Sequence, residues 1–247
     1  MKSAKLGQHF LTDNRVLEDL VEQVPPETKE VLEIGVGDGR LTERLLQAGF
    51  KVIGYELDSR LYSIARERIM GNPRLRLILG DGFSDDERHD VVVSSLPYYA
   101  SRSFVEWFAA SSTPLGLVVL QKDFVDKISS KPGSRKYGTY SVLACYCFRM
   151  KELFVIPPMA FEPRPKVYSS ALKLERLRTF SNAGLVALKL KLLFSYRGRR
   201  VRSFVRDSKR RRLWEGLTEL DEGLLVKRVE DLSPQEALNV IRGMASS

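Results

Sequence analysis

Four short apolar runs in the first hundred residues each end in glycine or in a polar side chain. The first run leads into the glycine-rich turn Gly35–Gly39, and the next two end in Glu56 and Asp81. The fourth run ends in the motif Ser95–Tyr98, which reads Ser-Leu-Pro-Tyr. Ligands of open α/β sheets bind in the crevice outside the carboxyl ends of the strands, so these four ends predict one ligand site.

The glycine turn and the two carboxylates indicate a nucleoside cofactor. Glycine allows a sharp turn between strand and helix and lets a ligand approach the backbone closely. Glu56 can accept hydrogen bonds from both hydroxyls of a ribose, and Asp81 can accept one from an adenine amino group. These features fit a nicotinamide dinucleotide and S-adenosylmethionine alike. The G-x-G-x-G spacing, however, differs from the G-x-G-x-x-G of dinucleotide binding.

The motif at the fourth strand end favours the methyl donor. Ser95 can accept a hydrogen bond from an adenine N6 hydrogen, Pro97 fixes the backbone, and Tyr98 offers a ring for a flipped base to stack on. Drawing both N6 hydrogens to acceptors directs the nitrogen lone pair toward a sulfonium methyl group, without a base before attack. We therefore expect methyl transfer to an adenine rather than hydride transfer.

The elements that position these residues alternate along the chain. Asp13 and Asp58 can each cap a helix, and Gly49 can end one. Strands are predicted at Lys29–Ile34, Lys51–Glu56, Leu75–Leu79, Asp90–Ser94 and Gly116–Leu120, which implies a parallel, doubly wound α/β sheet. Three further strands are predicted at Tyr137–Phe148, Glu152–Ile156 and Val167–Leu174, followed by helices from Thr179 onward.

Charge and composition indicate which classes of partner the protein can bind. The net charge is +9, and residues 197–212 hold nine Arg or Lys and one Asp, so this segment alone carries +8. Such a local patch indicates a polyanion partner. No apolar run reaches the length of a membrane span, so no membrane partner is expected. Cys145 and Cys147 are expected to be reduced thiols, no metal site is expected, and a cytoplasmic protein fits.

Several motifs together resemble the KsgA family, the ribosomal RNA small-subunit adenine N6,N6-dimethyltransferases related to the Erm resistance enzymes. These motifs are Lys5–Leu11, the glycine turn, Ser95–Tyr98, Tyr137–Val142 and Pro157–Ser169. The resemblance implies a Rossmann-like class I methyltransferase sheet at 1–178 and a small C-terminal helical RNA-binding domain at 179–247. It also implies S-adenosylmethionine as donor and two adjacent adenines near the 3′ end of small-subunit rRNA as substrate.

The resemblance gives each candidate site residue a role. The donor would be bound by His9, Leu11, Gly35, Gly37, Glu56, Asp81, Gly82 and Ser95. The target base would be held by Ser95, Pro97, Tyr98 and Phe161, although Phe161 could instead pack its loop onto the sheet. RNA phosphates would be contacted by Arg164, Lys166, Arg197, Arg199, Arg200 and Arg202.

Two departures from the family pattern keep alternatives open. Ser95 stands where the family usually has asparagine, and its hydroxyl reaches less far than a carbonyl of that residue. His9 stands where asparagine is frequent. The main expectation is an rRNA adenine methyltransferase that acts as a monomer on the pre-small ribosomal subunit. The alternative is a non-catalytic or mono-methylating RNA-binding assembly factor.

Overall fold

The computed structural model describes residues 8–214 and 220–244, so Lys5, Leu6 and Gly7 of the first family motif lie outside the described residues. Strands and helices alternate through the first half of the chain. They are β1 (Phe10–Leu11), α1 (Asn14–Val21), β2 (Glu30–Ile34), α2 (Arg40–Gln47), β3 (Lys51–Glu56), α3 (Ser59–Arg68), β4 (Leu75–Leu79), β5 (Val91–Ser95), α4 (Ser101–Ala110) and β6 (Leu115–Gln121).

The second half is richer in helices. Its elements are α5 (Lys122–Ile128), α6 (Thr139–Cys147), β7 (Phe148–Ile156), β8 (Phe161–Glu162), β9 (Ser169–Arg176), α7 (Ala183–Phe194), α8 (Val201–Arg210), α9 (Glu222–Val226) and α10 (Pro234–Arg242). Among the described residues, no helix is long and apolar enough to cross a membrane.

A seven-stranded sheet carries the strand ends that the sequence singled out. Its order is β4-β3-β2-β5-β6-β9-β7, and β9 runs antiparallel to β6 while β2 to β6 are parallel to their neighbours. The chain moves from β2 outward through β3 and β4, then returns to the other side of β2 with β5. This reversal between β2 and β5 is the point at which doubly wound sheets bind ligands. The predicted α/β sheet is therefore confirmed.

The central strands are buried on both faces, which explains their continuous apolar sequence. Val31, Leu32, Val91, Val92 and Val93 have no exposed surface. The predicted helix caps are also confirmed. The carboxylates of Asp13 and Asp58 accept hydrogen bonds from backbone N–H groups in the first turns of α1 and α3.

The contacts divide the chain into two compact units. The sheet unit contains the residues up to Phe104 together with Ser111–Val125 and Arg149–Arg176, and the helical unit contains Val105–Ala110, Asp126–Phe148 and the chain from Leu177 onward. The helical unit has its own apolar core, whose fully buried members include Leu190, Leu193, Phe204, Val229 and Val240. The domain boundary between residues 178 and 179 stays a prediction.

One predicted strand is wrong. Tyr137–Phe148 was expected to be extended, but Thr139–Cys147 forms α6. Seven of the nine residues of α6 are buried, on all sides of the helix. A helix buried all round has no polar face, so its sequence lacks the helical period and cannot be told from a buried strand. Cys145 and Cys147 therefore lie on this helix, and neither forms a disulfide within the described residues.

Candidate functional site

A cavity of about 640 Å³ opens at the carboxyl ends of β2 to β5, within the size range of small-molecule sites. We call it the central cavity. It brings together nine of the predicted site residues, namely His9, Leu11, Gly35, Gly37, Glu56, Asp81, Gly82, Ser95 and Pro97. The strand order explains this convergence, because the ends of β3, β2 and β5 are neighbours in the sheet.

The glycine turn forms the floor of the cavity after β2. Gly35 and Gly37 have φ angles of +80° and +63°, which side chains other than glycine rarely adopt. Among the described residues other than its chain neighbours, a Cβ at Gly35 would meet Leu96 Cδ2 alone, at 3.9 Å, so these residues leave the space above Gly35 open. The turn therefore offers bare backbone on which a ligand can lie.

Glu56 connects the end of β3 to the glycine turn. Its Oε2 accepts a hydrogen bond from Gly37 N at 2.7 Å and its Oε1 accepts one from Asp58 N at 2.9 Å. The residue is 5% exposed, and burial raises the pKa of its carboxyl while the two backbone N–H donors oppose that rise. Each oxygen keeps a further lone pair, so the carboxylate can still accept hydrogen bonds from two hydroxyls of a ligand.

Asp81 and Gly82 form the cavity wall after β4. Asp81 Oδ1 accepts a hydrogen bond from Phe83 N at 2.9 Å, which leaves the outer oxygen of this exposed carboxylate for a ligand. Gly82 has a packing reason of its own, because a Cβ there would lie 2.9 Å from Ile34 and 3.0 Å from Tyr55.

The motif at the end of β5 places its residues differently. Ser95 and Pro97 line the cavity, and the backbone carbonyl of Pro97 accepts a hydrogen bond from Ala100 N at 2.9 Å. Tyr98 is half-buried and its hydroxyl lies 2.9 Å from Ser169 Oγ. Burial also raises the pKa of the Tyr98 hydroxyl. Of the two tyrosines after Pro97, the one that lines the cavity is Tyr99.

The N-terminal segment reaches the cavity through a two-stranded sheet, in which β1 pairs antiparallel with β8. His9 Nδ1 lies 2.6 Å from Pro163 O, and because a carbonyl only accepts, Nδ1 carries the hydrogen and donates it. The His9 ring packs 5.4 Å from that of Tyr98. Phe161 lies opposite Leu11 in this ladder and is only 3% exposed, in the core of the sheet unit. Its contact with a base stays a prediction.

Among the polar side chains of the cavity that sequence reasoning missed are Gln8 and Glu33. Glu33 lies in β2 and is 1% exposed; its Oε2 accepts a hydrogen bond from Thr42 Oγ1 at 2.6 Å. Within residues 8–214 and 220–244, neither its buried Oε1 nor the buried Oε1 of Gln8 has a hydrogen-bond partner. Burial raises the pKa of the Glu33 carboxyl to about 8. The available signal was an acidic residue inside an otherwise apolar strand.

The predicted phosphate contacts fall into two groups. Arg164 and Lys166 are exposed on the loop after β8, and Arg199, Arg200 and Arg202 are exposed at the start of α8. Arg197 is different, because its guanidinium donates hydrogen bonds to Ser134 O, Tyr137 O and Glu230 Oε2 within the helical unit. This side chain has a structural task whether or not it also contacts RNA.

The sequence of the chain is similar to those of ribosomal RNA methyltransferases. The family described as "Ribosomal RNA adenine dimethylase" matches residues 1–189. A protein of Methanosarcina mazei named "Probable ribosomal RNA small subunit methyltransferase A" is 32% identical over 97% of this chain and 92% of its own length. The ribosomal RNA small subunit methyltransferase A of Clostridium acetobutylicum is 34% identical over 71% of this chain and 67% of its own length.

Solved structures have the same fold. A dimethyladenosine transferase from Plasmodium falciparum superimposes with a TM-score of 0.72 at 20% identity, over 94% of this chain and 96% of its own. The 23S rRNA methyltransferase ErmE gives a TM-score of 0.63 at 23% identity, over 95% of this chain and 99% of its own. The predicted fold class, a Rossmann-like methyltransferase sheet with a helical C-terminal part, is confirmed.

Proposed function

The chain belongs to the ribosomal RNA adenine dimethylase family, and from that premise we propose that it transfers methyl groups from S-adenosylmethionine to N6 of adenine near the 3′ end of small-subunit rRNA. The observation that carries the proposal is the convergence of Glu56, Asp81 and Ser95 on one cavity, beside a glycine turn.

The residues of the central cavity fit the donor. S-adenosylmethionine, when bound, supplies a methyl group on a positively charged sulfur. Glu56 would accept the ribose hydroxyls and Asp81 the adenine amino group. The open space above Gly35 suits the methionine part, because a flexible chain there meets backbone rather than side chains. His9 and Leu11 would cover the donor from the N-terminal segment.

The end of β5 would hold the target base. The hydroxyl of Ser95 and a backbone carbonyl beside Pro97 would accept the two N6 hydrogens, which aims the N6 lone pair at the methyl group. The bound donor would supply the methyl group, whose transfer would break its sulfur–carbon bond and leave the positive charge on N6. This N6 then loses a proton to water, so no side-chain base is required. Positioning and electrostatics supply the catalysis.

Donor binding tests the site. Replacing Glu56 with alanine removes both acceptors for the ribose and should weaken S-adenosylmethionine binding at least about tenfold, because hydrogen bonds to a charged group contribute roughly 1.5–3 kcal/mol. Isothermal titration calorimetry measures this. Glu18→Ala, on the exposed face of α1, is the control. Equal binding of NAD by the unaltered protein would contradict the assignment of the cavity.

Methyl transfer tests the substrate. The protein, radiolabelled donor and under-methylated small ribosomal subunits should yield labelled rRNA. Mass spectrometry of the 3′ fragment then reports the adenines and the number of methyl groups on each. Label that stays at background while donor and RNA both bind would contradict the enzyme proposal and favour a non-catalytic assembly factor, the alternative that Ser95 motivates.

We further propose that the enzyme acts as a cytoplasmic monomer on the pre-small ribosomal subunit. The positive charge concentrated in residues 197–212 supports a polyanion partner. Light scattering of the free protein should give the mass of a single chain, 28.1 kDa, and a stable dimer would contradict this part.

A further inference from the structure

Tyr99 is an exposed aromatic residue at the mouth of the central cavity. Its side chain is 65% exposed, yet the residue lines the cavity. It belongs to a 3₁₀ turn, Tyr98–Ala100, in which consecutive side chains point about 120° apart. Tyr98 and Tyr99 therefore face in different directions, although they are neighbours in sequence.

The two tyrosines have different surroundings. Tyr98 is half-buried, its hydroxyl lies 2.9 Å from Ser169 Oγ, and its ring packs against His9. Tyr99 keeps most of its ring in solvent. A flat partner that covers the exposed ring of Tyr99 at the cavity mouth would bury a large apolar area. Single-stranded RNA bases are the partners that commonly stack on such rings.

The position of Tyr99 selects which base it contacts. The target N6 must lie inside the cavity, near Ser95 at the end of β5. Tyr99 lies four residues further along the chain and is exposed, so its ring stands at the rim rather than beside the reacting atom. We propose that Tyr99 stacks on the RNA base adjacent to the target adenine and so positions the strand for methyl transfer. This inference rests on the proposed function.

The chain offers a matched control away from the cavity. Met70 follows α3, is 84% exposed and is not among the residues that line the cavity. Met70→Ala therefore removes a comparable exposed apolar side chain from a place where neither the donor nor the target base is proposed to bind.

Fluorescence of RNA hairpins tests the stacking. Two hairpins would carry 2-aminopurine at one or the other of two adjacent adenines in the loop, and binding would be measured with S-adenosylmethionine present. Stacking contributes about 1–3 kcal/mol per base, so Tyr99→Ala should raise Kd for RNA about 5- to 150-fold and abolish quenching of the adjacent base. Tyr99→Phe keeps the ring and should retain both, and Met70→Ala should leave both within twofold.

The outcomes separate this inference from the proposed function. If the unaltered protein binds the RNA and Tyr99→Ala binds and quenches equally well, stacking by Tyr99 is overturned and the proposed function stands. If the unaltered protein binds neither hairpin, stacking on a loop base is overturned, while the labelling of small ribosomal subunits still decides the proposed function. Donor binding by calorimetry should be the same for Tyr99→Ala and the unaltered protein, and a loss there would assign Tyr99 to the donor instead.

Discussion

Glu33 is a carboxylic acid buried in β2 beside the site where a positively charged donor is proposed to bind. In the part of the chain that the structure describes, only one of its oxygens has a hydrogen-bond partner, and burial raises the pKa of the group from 4.5 to about 8. Glu56 and Asp38, both at the cavity, add negative charge that raises this pKa further. At neutral pH the folded protein therefore keeps Glu33 mostly protonated and neutral.

This protonation predicts a pH dependence of stability. Between pH 4.5 and about 8 the unfolded chain has released the Glu33 proton while the folded protein still binds it. The folded state then binds more protons, so its stability falls as pH rises, by on the order of 4 kcal/mol at pH 8. Glu33→Gln should flatten this slope in urea unfolding measured across the range. Glu18→Gln, an exposed control, should keep it; an unchanged slope in Glu33→Gln would contradict the raised pKa.

Ser95 predicts how many methyl groups each adenine receives. Asparagine at this position reaches about one bond further and accepts with a carbonyl, so it can still hold an amino group that already carries one methyl. Ser95→Asn should therefore increase the ratio of dimethylated to monomethylated adenine in the rRNA 3′ fragment, measured by mass spectrometry. An unchanged ratio would show that the serine does not limit the second transfer.

At the scale of the elements, the sequence predicted those whose signals are local. Asp13 and Asp58 predict their helices because each side chain caps the helical turn that directly follows it. The glycine turn is predictable because positive φ angles favour glycine. α6 was missed because burial on all sides removes its periodicity. Tyr99 was missed because its exposure depends on the orientation of the turn after β5. The types of the neighbouring residues do not predict that orientation.

Arg197 stabilises the loop before α8, so we expect it to contribute more to the free energy of unfolding than the exposed basic residues do. Arg197→Ala removes donors to Ser134 O, Tyr137 O and Glu230, and should lower the free energy of unfolding by about 2 kcal/mol. Arg202→Ala, exposed on α8, should change it by less than about 0.5 kcal/mol. Thermal and urea unfolding measure both. An equal change in the free energy of unfolding of both variants would contradict the structural role of Arg197.

At the scale of the whole molecule, charge is unevenly distributed. The net charge of +9 comes almost entirely from residues 197–212. On α8 the exposed Arg202, Arg206, Lys209 and Arg210 recur at helical spacing, so they form one stripe. Such a stripe contacts phosphates and raises affinity without reading sequence.

That distribution predicts the salt dependence of RNA binding. Replacing Arg199, Arg200 and Arg202 with glutamine should weaken binding and reduce the slope of log K against log salt by about 2, because each lost phosphate contact removes roughly 0.7–0.9. Filter binding at several salt concentrations measures the slope. Replacing exposed Arg60 and Arg66 of α3 with glutamine is the control for charge alone. An unchanged salt slope in the triple variant would contradict a phosphate contact by Arg199, Arg200 and Arg202.

The ladder between β1 and β8 has a consequence for biosynthesis. His9 and Pro163, which are in contact, are 154 positions apart, and β1 pairs with β8 through only two residue pairs. Once residue 97 has been synthesised, a nascent chain contains every strand end that forms the central cavity. Its ninth and eleventh residues lack the partners that hold them in place until the ribosome has added some sixty-six more residues. An enzyme proposed to act in ribosome assembly would therefore become able to hold its donor only late in its own translation.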